Sequence, residues 1–279
     1  MPDTCVVPVV DLNADLAEGD VLSPSDVGVL ASVTSASLAC GFHAGNRAVM
    51  RATAAACVER GTVIGAHVSY RDRAGFGRRE LDVDPDQLVE DITEQCSTLG
   101  EVVVAAGGRV AFVKPHGALY NRMGTDAEVA RAVVAAVGAA AGAARAERSG
   151  LGGQPGGVLV AQWGSAVVAP AMEAGLRVVF EGFPDRGYQP DGRLADRSDP
   201  RGLVSDPEAS GRRAVSLVLR HGVEAVDGTW ARIKAGTLCI HGDAPDAPSR
   251  ARAVRAALEG AGITVAPFLR PGEGPALPG

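Results

Sequence analysis

One short segment near the start of the chain brings together acidic and amide side chains that could do chemistry. The run D-L-N-A-D-L-A-E places three carboxylates and an amide within eight residues, at Asp11, Asn13, Asp15 and Glu18. Two carboxylates held close together raise the pKa of one of them, which suits general acid–base catalysis or metal binding. Asp11 and Asp15 could instead only cap loop amides, as Asp commonly does after a strand. Capping alone leaves this density of polar groups unexplained, so we interpret the segment as part of an active site.

Four of the five histidines follow predicted strands, at His43, His67, His116 and His241, and only His221 does not. A single histidine in such a place more often donates a structural hydrogen bond to a backbone carbonyl. In parallel α/β folds, however, the loops at the carboxyl ends of the strands converge on one mouth. Histidines from successive strands can therefore meet there, and their positions predict a shared catalytic pole.

The cationic residues that could belong to a site are one lysine and several arginines. Lys114 is one of only two lysines in an Arg-rich chain. It is interpreted as a compact ammonium that pairs with an anion or acts at a shifted pKa, with a surface lysine as the alternative. Arg78 and Arg79 lie in a Gly-flanked G-F-G-R-R turn that could bind a carboxylate or phosphate in a bidentate way, or could be a solvated loop. Arg186 and Arg197 allow the same two interpretations.

The other scarce polar residues also fall after predicted strands, and we expect them to contact the substrate. They are Asn13, Tyr70, Tyr120, Asn121, Gln162, Glu181, Asp185, His241 and Asp243. Cys40, three residues before His43, could form a nucleophile–base pair with it. A cysteine at a strand end is more often a small buried residue, and we favour that interpretation.

Short β-branched runs alternate with longer amphipathic segments along the chain. Strands are predicted at residues 6–10, 35–40, 62–66, 110–113, 158–161, 176–180, 237–240 and 263–266. Helices are predicted to begin at Ser23-Pro24 and at a capping box from Thr125 to Glu128, and to span residues 46–60, 85–106, 165–174, 206–221 and 248–261. About seven β–α units in series indicate a parallel sheet covered by helices. A closed barrel and an open doubly wound sheet both fit, although no G-x-G-x-x-G motif follows the first strand.

The composition limits the classes of protein to which the chain can belong. Its 279 residues are 46% hydrophobic and 22% charged, as is usual for a soluble globular protein. We expect a single α/β domain with a core at about residues 5–268, a Gly-rich insertion at 149–157 and a flexible tail at 270–279. The net charge of −6 and the lack of a basic run argue against nucleic-acid binding.

Cellular location can also be predicted from the sequence. No stretch approaches the roughly 18 apolar residues that a membrane helix needs, and the start of the chain lacks the features of a signal peptide. The five cysteines are scattered and include no C-x-x-C pair. We therefore expect reduced thiols in a cytoplasmic protein.

Seven motifs recur in the order and spacing of a known family. They are D-L-N-A-D-L-A-E-G (11–19), L-A-C-G-F-H-A-G (38–45), G-A-H-V-S-Y (65–70), G-F-G-R-R (75–79), V-K-P-H-G-A-L-Y-N (113–121), F-P-D-R-G-Y (183–188) with D-G-R-L (191–194), and C-I-H-G-D (239–243). On these motifs, from about residue 8 to residue 266, the chain closely resembles the LamB/YcsF family, the A subunits of prokaryotic 5-oxoprolinase. The resemblance implies a single-domain, seven-stranded β/α barrel akin to those of the glycoside hydrolase/deacetylase superfamily.

The resemblance also implies an activity, the ATP-dependent opening of the lactam 5-oxo-L-proline to L-glutamate, with the 5-oxoprolinase B and C subunits as partners. Neither lysine lies in a P-loop motif, so ATP must bind by another mode or on a partner. The catalytic candidates are Asp15, Glu18, His43, His67, Lys114 and His116. Asp15 or His43 is assigned as the base that assists an attacking water, and His67 and His116 as acid or orienting groups.

The remaining assignments concern charge. Lys114 is expected to stabilise oxyanion or phosphate charge that develops in the reaction, and Arg78 and Arg79 are expected to hold the substrate carboxylate. ATP is expected to be a co-substrate. The sequence does not decide whether the reaction requires a divalent metal.

Two other functions remain possible on the same scaffold. One is a stand-alone, metal-dependent deacetylase or amidase, in which Asp15, His43 and His67 would bind zinc with an open position for water. The other is a non-catalytic lactam-binding subunit with the same pocket. Metal analysis and assays with and without ATP would separate these alternatives from the first.

Overall fold

Seven parallel strands form a closed barrel in the computed structural model, which describes residues 7–146, 157–241 and 246–269. The described strands are β1 (Val9–Leu16), β2 (Ser35–Ala39), β3 (Val63–Val68), β4 (Val110–Pro115), β5 (Val158–Gln162), β6 (Arg177–Gly182), β7 (Gly222–Glu224), β8 (Trp230–Arg232), β9 (Thr237–Ile240) and β10 (Thr264–Val265). Strands β1 to β6 pair in sequence order, and β9 pairs with both β6 and β1 to close the ring. β7 and β8 form a separate antiparallel hairpin, and β10 pairs with the start of β1. The expectation of a closed seven-stranded barrel is confirmed, and an open sheet is excluded.

Helices surround the barrel and follow most of its strands. Those described are α1 (Pro24–Leu30), α2 (Arg47–Arg60), α3 (Pro85–Ala105), α4 (Gly117–Met123), α5 (Ala127–Ala146), α6 (Val168–Glu173), α7 (Pro207–Leu219) and α8 (Ala247–Gly260). The predicted helix starts at Ser23, Asp84 and Asp206 are confirmed, because each side chain accepts a backbone N–H of the first turn. Gly61 ends α2 in the left-handed conformation, as its position after the helix predicts.

The start of α5 differs from the prediction. The sequence predicts a capping box from Thr125 to Glu128, but Asp126 caps the helix. Its Oδ1 accepts the backbone N–H of Glu128 at 2.9 Å and that of Val129 at 3.3 Å. A carboxylate accepts more strongly than a hydroxyl, and the unpredicted helix α4, which ends at Met123, leaves Thr125 in the connecting turn.

The first barrel strand runs further than its apolar residues predict. β1 continues to Leu16, whereas the predicted strand ends at Val10. After Val10 the sequence alternates polar and apolar residues, and a strand places such sets on opposite faces. The apolar set packs in the hydrophobic core, while Asn13 and Asp15 make contacts across the barrel interior and Asp11 accepts hydrogen bonds from the neighbouring Ser35 and Thr237. These three residues therefore belong to a strand rather than to the loop after it.

β3 and β4 also continue through residues predicted to follow them. β3 ends at Val68 and β4 at Pro115, so His67 and Lys114 lie within strands and are paired in register. Polar side chains that enter the barrel interrupt the apolar runs from which the strand ends were predicted. The site is consequently built on the sheet itself, which is more rigid than its loops.

Apolar side chains fill part of the amino-terminal half of the barrel, beside a buried polar cluster of Asp11, Ser35 and Thr237. Phe112 lies two residues before Lys114 and thus on the same strand face, and it clusters with Val160 and Val179. A Cβ at Gly65 would overlap the ring of Phe112, so this position of β3 must lack a side chain. This filling closes one half of the barrel and leaves the carboxyl-terminal half for the chemistry.

The cysteines within the described residues are all buried and unpaired, as expected for reduced thiols. Cys40 donates from Sγ to the carbonyl oxygen of Leu38 at 3.3 Å, and burial raises its pKa well above the ordinary value. It is a small buried residue rather than a nucleophile. None of the described helices is long and apolar enough to span a membrane. The predicted insertion and tail fall outside the described residues, apart from residue 157.

Candidate active site

A cavity of about 790 Å³ opens at the carboxyl-terminal end of the barrel strands. Among the predicted catalytic residues, those that line it are Asp15, Glu18, His67, Lys114 and His116. Among the predicted substrate contacts, those that line it are Arg78, Tyr120, Asn121, Gln162, Arg186, Arg197 and His241. His43 is buried and stacks against His116. The structure brings these side chains together, and their individual roles remain predictions.

Lys114 is the centre of a buried polar network. Its Nζ donates to Asp15 Oδ1 at 2.8 Å and lies 2.8 Å from Glu181 Oε1. The same Nζ lies 3.1 Å from Cys239 Sγ and 3.3 Å from Asn13 Oδ1. Burial lowers the pKa of Lys114, but the adjacent carboxylates outweigh burial and hold its pKa well above the ordinary value. The side chain is therefore an ammonium between two carboxylates.

Asp15 connects this network to the histidines. Its Oδ1 accepts from Lys114, and its Oδ2 lies 3.3 Å from His67 Nε2. Burial raises the pKa of the Asp15 carboxyl, but His67 and Lys114 lower that pKa well below its usual range. With 8% of its surface exposed, toward the cavity, Asp15 is an ionised group that a substrate or water can reach.

Three imidazole rings pack against one another at the cavity wall. His43 and His116 are stacked with ring centroids 4.0 Å apart, and His67 meets both rings edge-on. Burial, with a smaller contribution from His67, lowers the pKa of both His43 and His116 to about 2. One nitrogen of each ring and one oxygen of Glu18 lie within 4.8 Å of one another. Imidazole and carboxylate in this arrangement form a group that could hold a metal ion.

This group differs from the metal ligands expected from the sequence. Asp15, rather than Glu18, was predicted to join His43 and His67, and His116 was not among the predicted ligands. In the structure the Asp15 carboxylate is engaged by the lysine ammonium. Glu18 instead lies at the end of the first motif, where its side chain reaches the histidines.

The G-F-G-R-R turn packs directly on the histidines. Gly77 has a φ of +65°, and a Cβ there would lie 2.9 Å from the side chains of both His43 and His116. Glycine avoids both the backbone strain and the close contact. The carbonyl oxygen of the preceding Phe76 accepts a hydrogen bond from His116 Nε2 at 2.9 Å. The turn therefore positions the rings.

The two arginines of this turn have different surroundings. Arg78 lines the cavity, with its guanidinium carbon 5.0 Å from the centroid of the Phe76 ring. Arg79 does not line the cavity, and its guanidinium donates to Asp72, which lowers the pKa of that carboxyl. Of the two arginines expected to bind the substrate carboxylate, only Arg78 lines the cavity, since the Arg79 guanidinium is engaged by Asp72.

His241 lies at the opposite side of the cavity, where its orientation is set by Asp185. His241 Nδ1 lies 2.9 Å from Asp185 Oδ2, and its backbone N–H donates to the same oxygen at 3.2 Å. Burial raises the pKa of Asp185, but His241 more than offsets this effect and the pKa is lowered. Phe183 stacks on His241, and its ring centroid is 5.7 Å from Lys114 Nζ.

Comparison with known proteins supports the resemblance drawn from the sequence motifs. Residues 10–272 match the LamB/YcsF family. This chain belongs to that family. A relative from Paracidovorax citrulli, named as the A subunit of 5-oxoprolinase, is 46% identical over 261 residues, which cover 93% of this chain and 99% of the relative. A protein of the same name from Streptomyces griseus is 47% identical over 262 residues, covering 93% and 100%.

A solved structure shows the same fold. The crystal structure of the lactam utilization protein from Thermus thermophilus matches with a TM-score of 0.83 and 41% sequence identity. The match covers 93% of this chain and 100% of that one. The two proteins therefore share this barrel over nearly the whole length of both chains.

Several residues predicted as substrate contacts do not line the cavity. Asn13 and Glu181 lie one layer deeper in the barrel, where Asn13 Nδ2 donates to Glu181 Oε1 at 2.9 Å beneath Lys114. Tyr70 is buried at 1% exposure, and Asp185 lies behind the His241 ring. These four side chains support the residues that line the cavity. Asp243 lies outside the described residues.

Two residues that contact Lys114 were not among the site residues predicted from the sequence. Cys239 Sγ and the ring of Phe183 both approach its ammonium group. Cys239 lies two residues before His241 in the C-I-H-G-D motif, so strand alternation could have placed both on one face. Phe183 offers no such signal, because it follows β6 in an irregular segment.

Proposed function

We propose that this chain is the A subunit of a 5-oxoprolinase, which opens the lactam 5-oxo-L-proline to L-glutamate with cleavage of ATP. The names of the two relatives and of the Thermus thermophilus protein support a lactam substrate. One observation carries the proposal within the structure itself. A buried ammonium, Lys114, lies beside the ionised Asp15 at the base of a cavity that three imidazoles also line.

The reaction requires activation of an unreactive bond. A five-membered lactam resists hydrolysis because amide resonance is lost when water adds. Phosphorylation of the lactam oxygen by ATP makes the ring carbon electrophilic, and the water oxygen can then bond to that carbon. Opening the ring breaks its C–N bond, so the nitrogen must receive a proton and the carbon is left as an acyl phosphate. A second water then hydrolyses this acyl phosphate to the carboxylate of L-glutamate and inorganic phosphate.

We assign the base to Asp15. It lines the cavity and is ionised, whereas His43, the other candidate, is buried behind His116. A carboxylate of low pKa is a weak base, but a weak base is sufficient when phosphorylation has already activated the carbon. Lys114 Nζ, fixed by two carboxylates, stabilises the oxyanion or phosphate charge that develops.

Substrate recognition is assigned to the remaining cavity residues. Arg78 is the cation proposed to bind the substrate carboxylate, and Arg186 and Arg197 supply further positive charge at the same cavity. Tyr120, Asn121 and Gln162 offer hydrogen bonds to the ring amide. We propose that these groups orient the lactam with its carbonyl toward Lys114.

ATP and the partner subunits complete the proposal. The relatives are named as one lettered subunit of 5-oxoprolinase, which implies an assembly of more than one kind of chain. Neither lysine of this chain belongs to a P-loop, so we propose that ATP binds on the B and C subunits. We place the complex in the cytoplasm, where ATP is available and thiols stay reduced.

The test is release of glutamate from 5-oxo-L-proline by the chain copurified with its B and C subunits. We expect glutamate only when all subunits and ATP are present. Glutamate without ATP would contradict the proposal in favour of a metal-dependent amidase, which the group of Glu18 and the three histidines specifically favours. Binding of 5-oxo-L-proline by calorimetry with no glutamate under any condition would instead show a non-catalytic role.

A further inference from the structure

The inner nitrogens of the three histidines point at one another and at Glu18. His67 Nε2 lies 3.0 Å from His116 Nδ1, and His43 Nε2 lies 3.3 Å from Glu18 Oε1. Glu18 Oε1 is also 3.7 Å from His116 Nδ1. Whether these atoms attract or repel one another depends on which ring nitrogens carry protons.

The outer partners of two rings determine where their protons lie. A carbonyl oxygen can only accept, so His67 Nδ1 must donate to the backbone oxygen of Lys114 at 3.0 Å. For the same reason, His116 Nε2 must donate to the backbone oxygen of Phe76 at 2.9 Å. In neutral rings this leaves lone pairs on His67 Nε2 and His116 Nδ1, which then oppose each other.

The His43 ring also carries its proton on the nitrogen that faces away from the cluster. Ser69 Oγ donates its only proton to the backbone oxygen of Tyr70 at 2.9 Å. It must therefore accept from His43 Nδ1, which lies 3.0 Å away. His43 Nε2 is left with a lone pair that faces the carboxylate of Glu18. Three ring lone pairs and a carboxylate oxygen consequently converge with no ring proton among them.

We infer that this cluster is a metal site, in which Glu18 Oε1, His43 Nε2, His67 Nε2 and His116 Nδ1 bind one divalent transition-metal ion. The four atoms already lie within 4.8 Å of one another, close enough for small side-chain movements to complete the coordination. Each imidazole ligand is oriented by a hydrogen bond at its other nitrogen, as metal-binding histidines commonly are.

The ligand set selects the kind of ion. Three imidazoles and one carboxylate suit Zn²⁺ and its transition-metal neighbours, whereas Mg²⁺ and Ca²⁺ prefer oxygen ligands. Zn²⁺ is the ion we assign, because it commonly takes four tetrahedral ligands drawn from imidazole nitrogens and carboxylate oxygens. Asp15 Oδ2, 3.3 Å from His67 Nε2, lies at the edge of the cluster and faces the cavity.

The alternative to a metal ion is that added protons hold these converging nitrogen and oxygen atoms together. A proton on His67 Nε2 could bridge to His116, and a second could lie between His43 and Glu18. That arrangement needs two extra protons, each serving a single contact, whereas a metal ion would contact all four converging atoms at once. One Zn²⁺ ion would replace both protons, which is why we favour the metal.

The experiment is titration of the chelator-treated full chain with ZnCl₂ by calorimetry, and with CoCl₂ by visible absorption. Site variants are His116→Gln and Glu18→Gln, each checked for folding by circular dichroism. His221→Gln is the matched control, because His221 lies at the end of α7, away from the cavity. We expect one tight Zn²⁺ ion per chain, a Co²⁺ spectrum of low coordination number, and loss of both in the two site variants only.

The inference would be overturned by wild-type chain that binds no Zn²⁺ tightly, or by folded site variants that bind it as wild type does. Nitrogen NMR of the metal-free chain gives a second measurement that does not depend on the variants folding. Lone-pair signals for His43, His67 and His116 that shift on adding ZnCl₂ support the metal, and an imidazolium unchanged by ZnCl₂ contradicts it. The inference adds an ion to the site of the proposed function, but glutamate release does not enter this test, so the two can fail separately.

Discussion

The ammonium of Lys114 lies 2.8 Å from Asp15 Oδ1 and joins two strands that are not neighbours in the barrel. β2 and β3 separate β1 from β4 in the ring, so the contact crosses the interior. Both groups are buried, and each is stable as an ion because the other is present. Loss of either partner would therefore leave an uncompensated charge inside the barrel, and the pair also presents charge to the cavity.

Replacement of Lys114 by Met is expected to destabilise the fold. Asp15 and Glu181 would remain buried without their counter-ion, and breaking a buried pair in this way costs about 3–5 kcal/mol in the free energy of unfolding. Urea denaturation measures the change. The matched control is Lys234→Met, since Lys234 is exposed and its removal should cost no more than about 0.5 kcal/mol. Equal losses in the two variants would contradict the structural role of Lys114.

Replacement of Asp15 by Asn tests catalysis. The amide keeps an oxygen for Lys114 but cannot accept a proton from water, so turnover by the assembled complex should fall by about 10²–10⁴-fold. The measurement is glutamate release with ATP and partners present, beside circular dichroism of the variant. Full activity in a folded Asp15→Asn chain would remove this residue from the chemistry.

Asp11 should make the stability of the protein dependent on pH. Burial raises its pKa from 3.8 to about 6, although the hydroxyls of Thr237, Thr34 and Ser35 all donate to it and oppose the shift. A raised pKa in the folded state means that its stabilisation is complete below about pH 4 and lost as pH rises through about 6.

The matching experiment compares wild type with Asp11→Asn in urea from acidic to neutral pH. Relative to the variant, wild type should lose roughly 3 kcal/mol of unfolding free energy across that range, from about 1.4 kcal/mol per pKa unit. Glu173→Gln is the control, because Glu173 is exposed and its stability difference from wild type should not change with pH. A pH-independent difference for Asp11→Asn would show that its pKa is ordinary.

Gly77→Ala should cost more stability than backbone strain explains. Gly77 and Gly107 both have positive φ, but only at Gly77 would an added Cβ press on the His116 ring and the His43 Cβ. Gly107→Ala has open space and should cost about 1–2 kcal/mol from strain alone. We expect Gly77→Ala to exceed it by at least about 1 kcal/mol, since overpacking typically costs that much. Denaturation midpoints that match between the two would contradict the contact.

Ser69→Ala tests the orientation of His43. Without the hydroxyl, nothing holds the His43 proton on Nδ1, and loss of such an outer partner typically weakens metal affinity by about 10–100-fold. Competition with a chromophoric chelator measures the affinity of wild type and variant for Zn²⁺. Ser97→Ala, on the exposed face of α3, is the control and should bind as wild type does. Unchanged affinity in Ser69→Ala would show that the hydroxyl does not position the ring.

Much of this architecture could be predicted, because β–α alternation leaves few ways to cover a parallel sheet. The carboxyl-terminal ends of strands β1, β3 and β4 were predicted too early. Asp15, His67 and Lys114 look like loop residues in the sequence, since polar groups there end an apolar run. In the barrel they occupy interior positions, where a polar layer is stable because its members neutralise one another.

The amino-acid sequence alone determined the family, the barrel class and the set of side chains that gather at one pole, because residue type and strand alternation are local properties. Only the tertiary structure decided the pairing within that set. Asp15 lies between the Lys114 ammonium and His67, Glu18 lies against His43 and His116, and the Arg79 guanidinium pairs with Asp72. Such choices depend on depth and register between strands far apart in the chain, where differences of a few ångströms decide which charges meet.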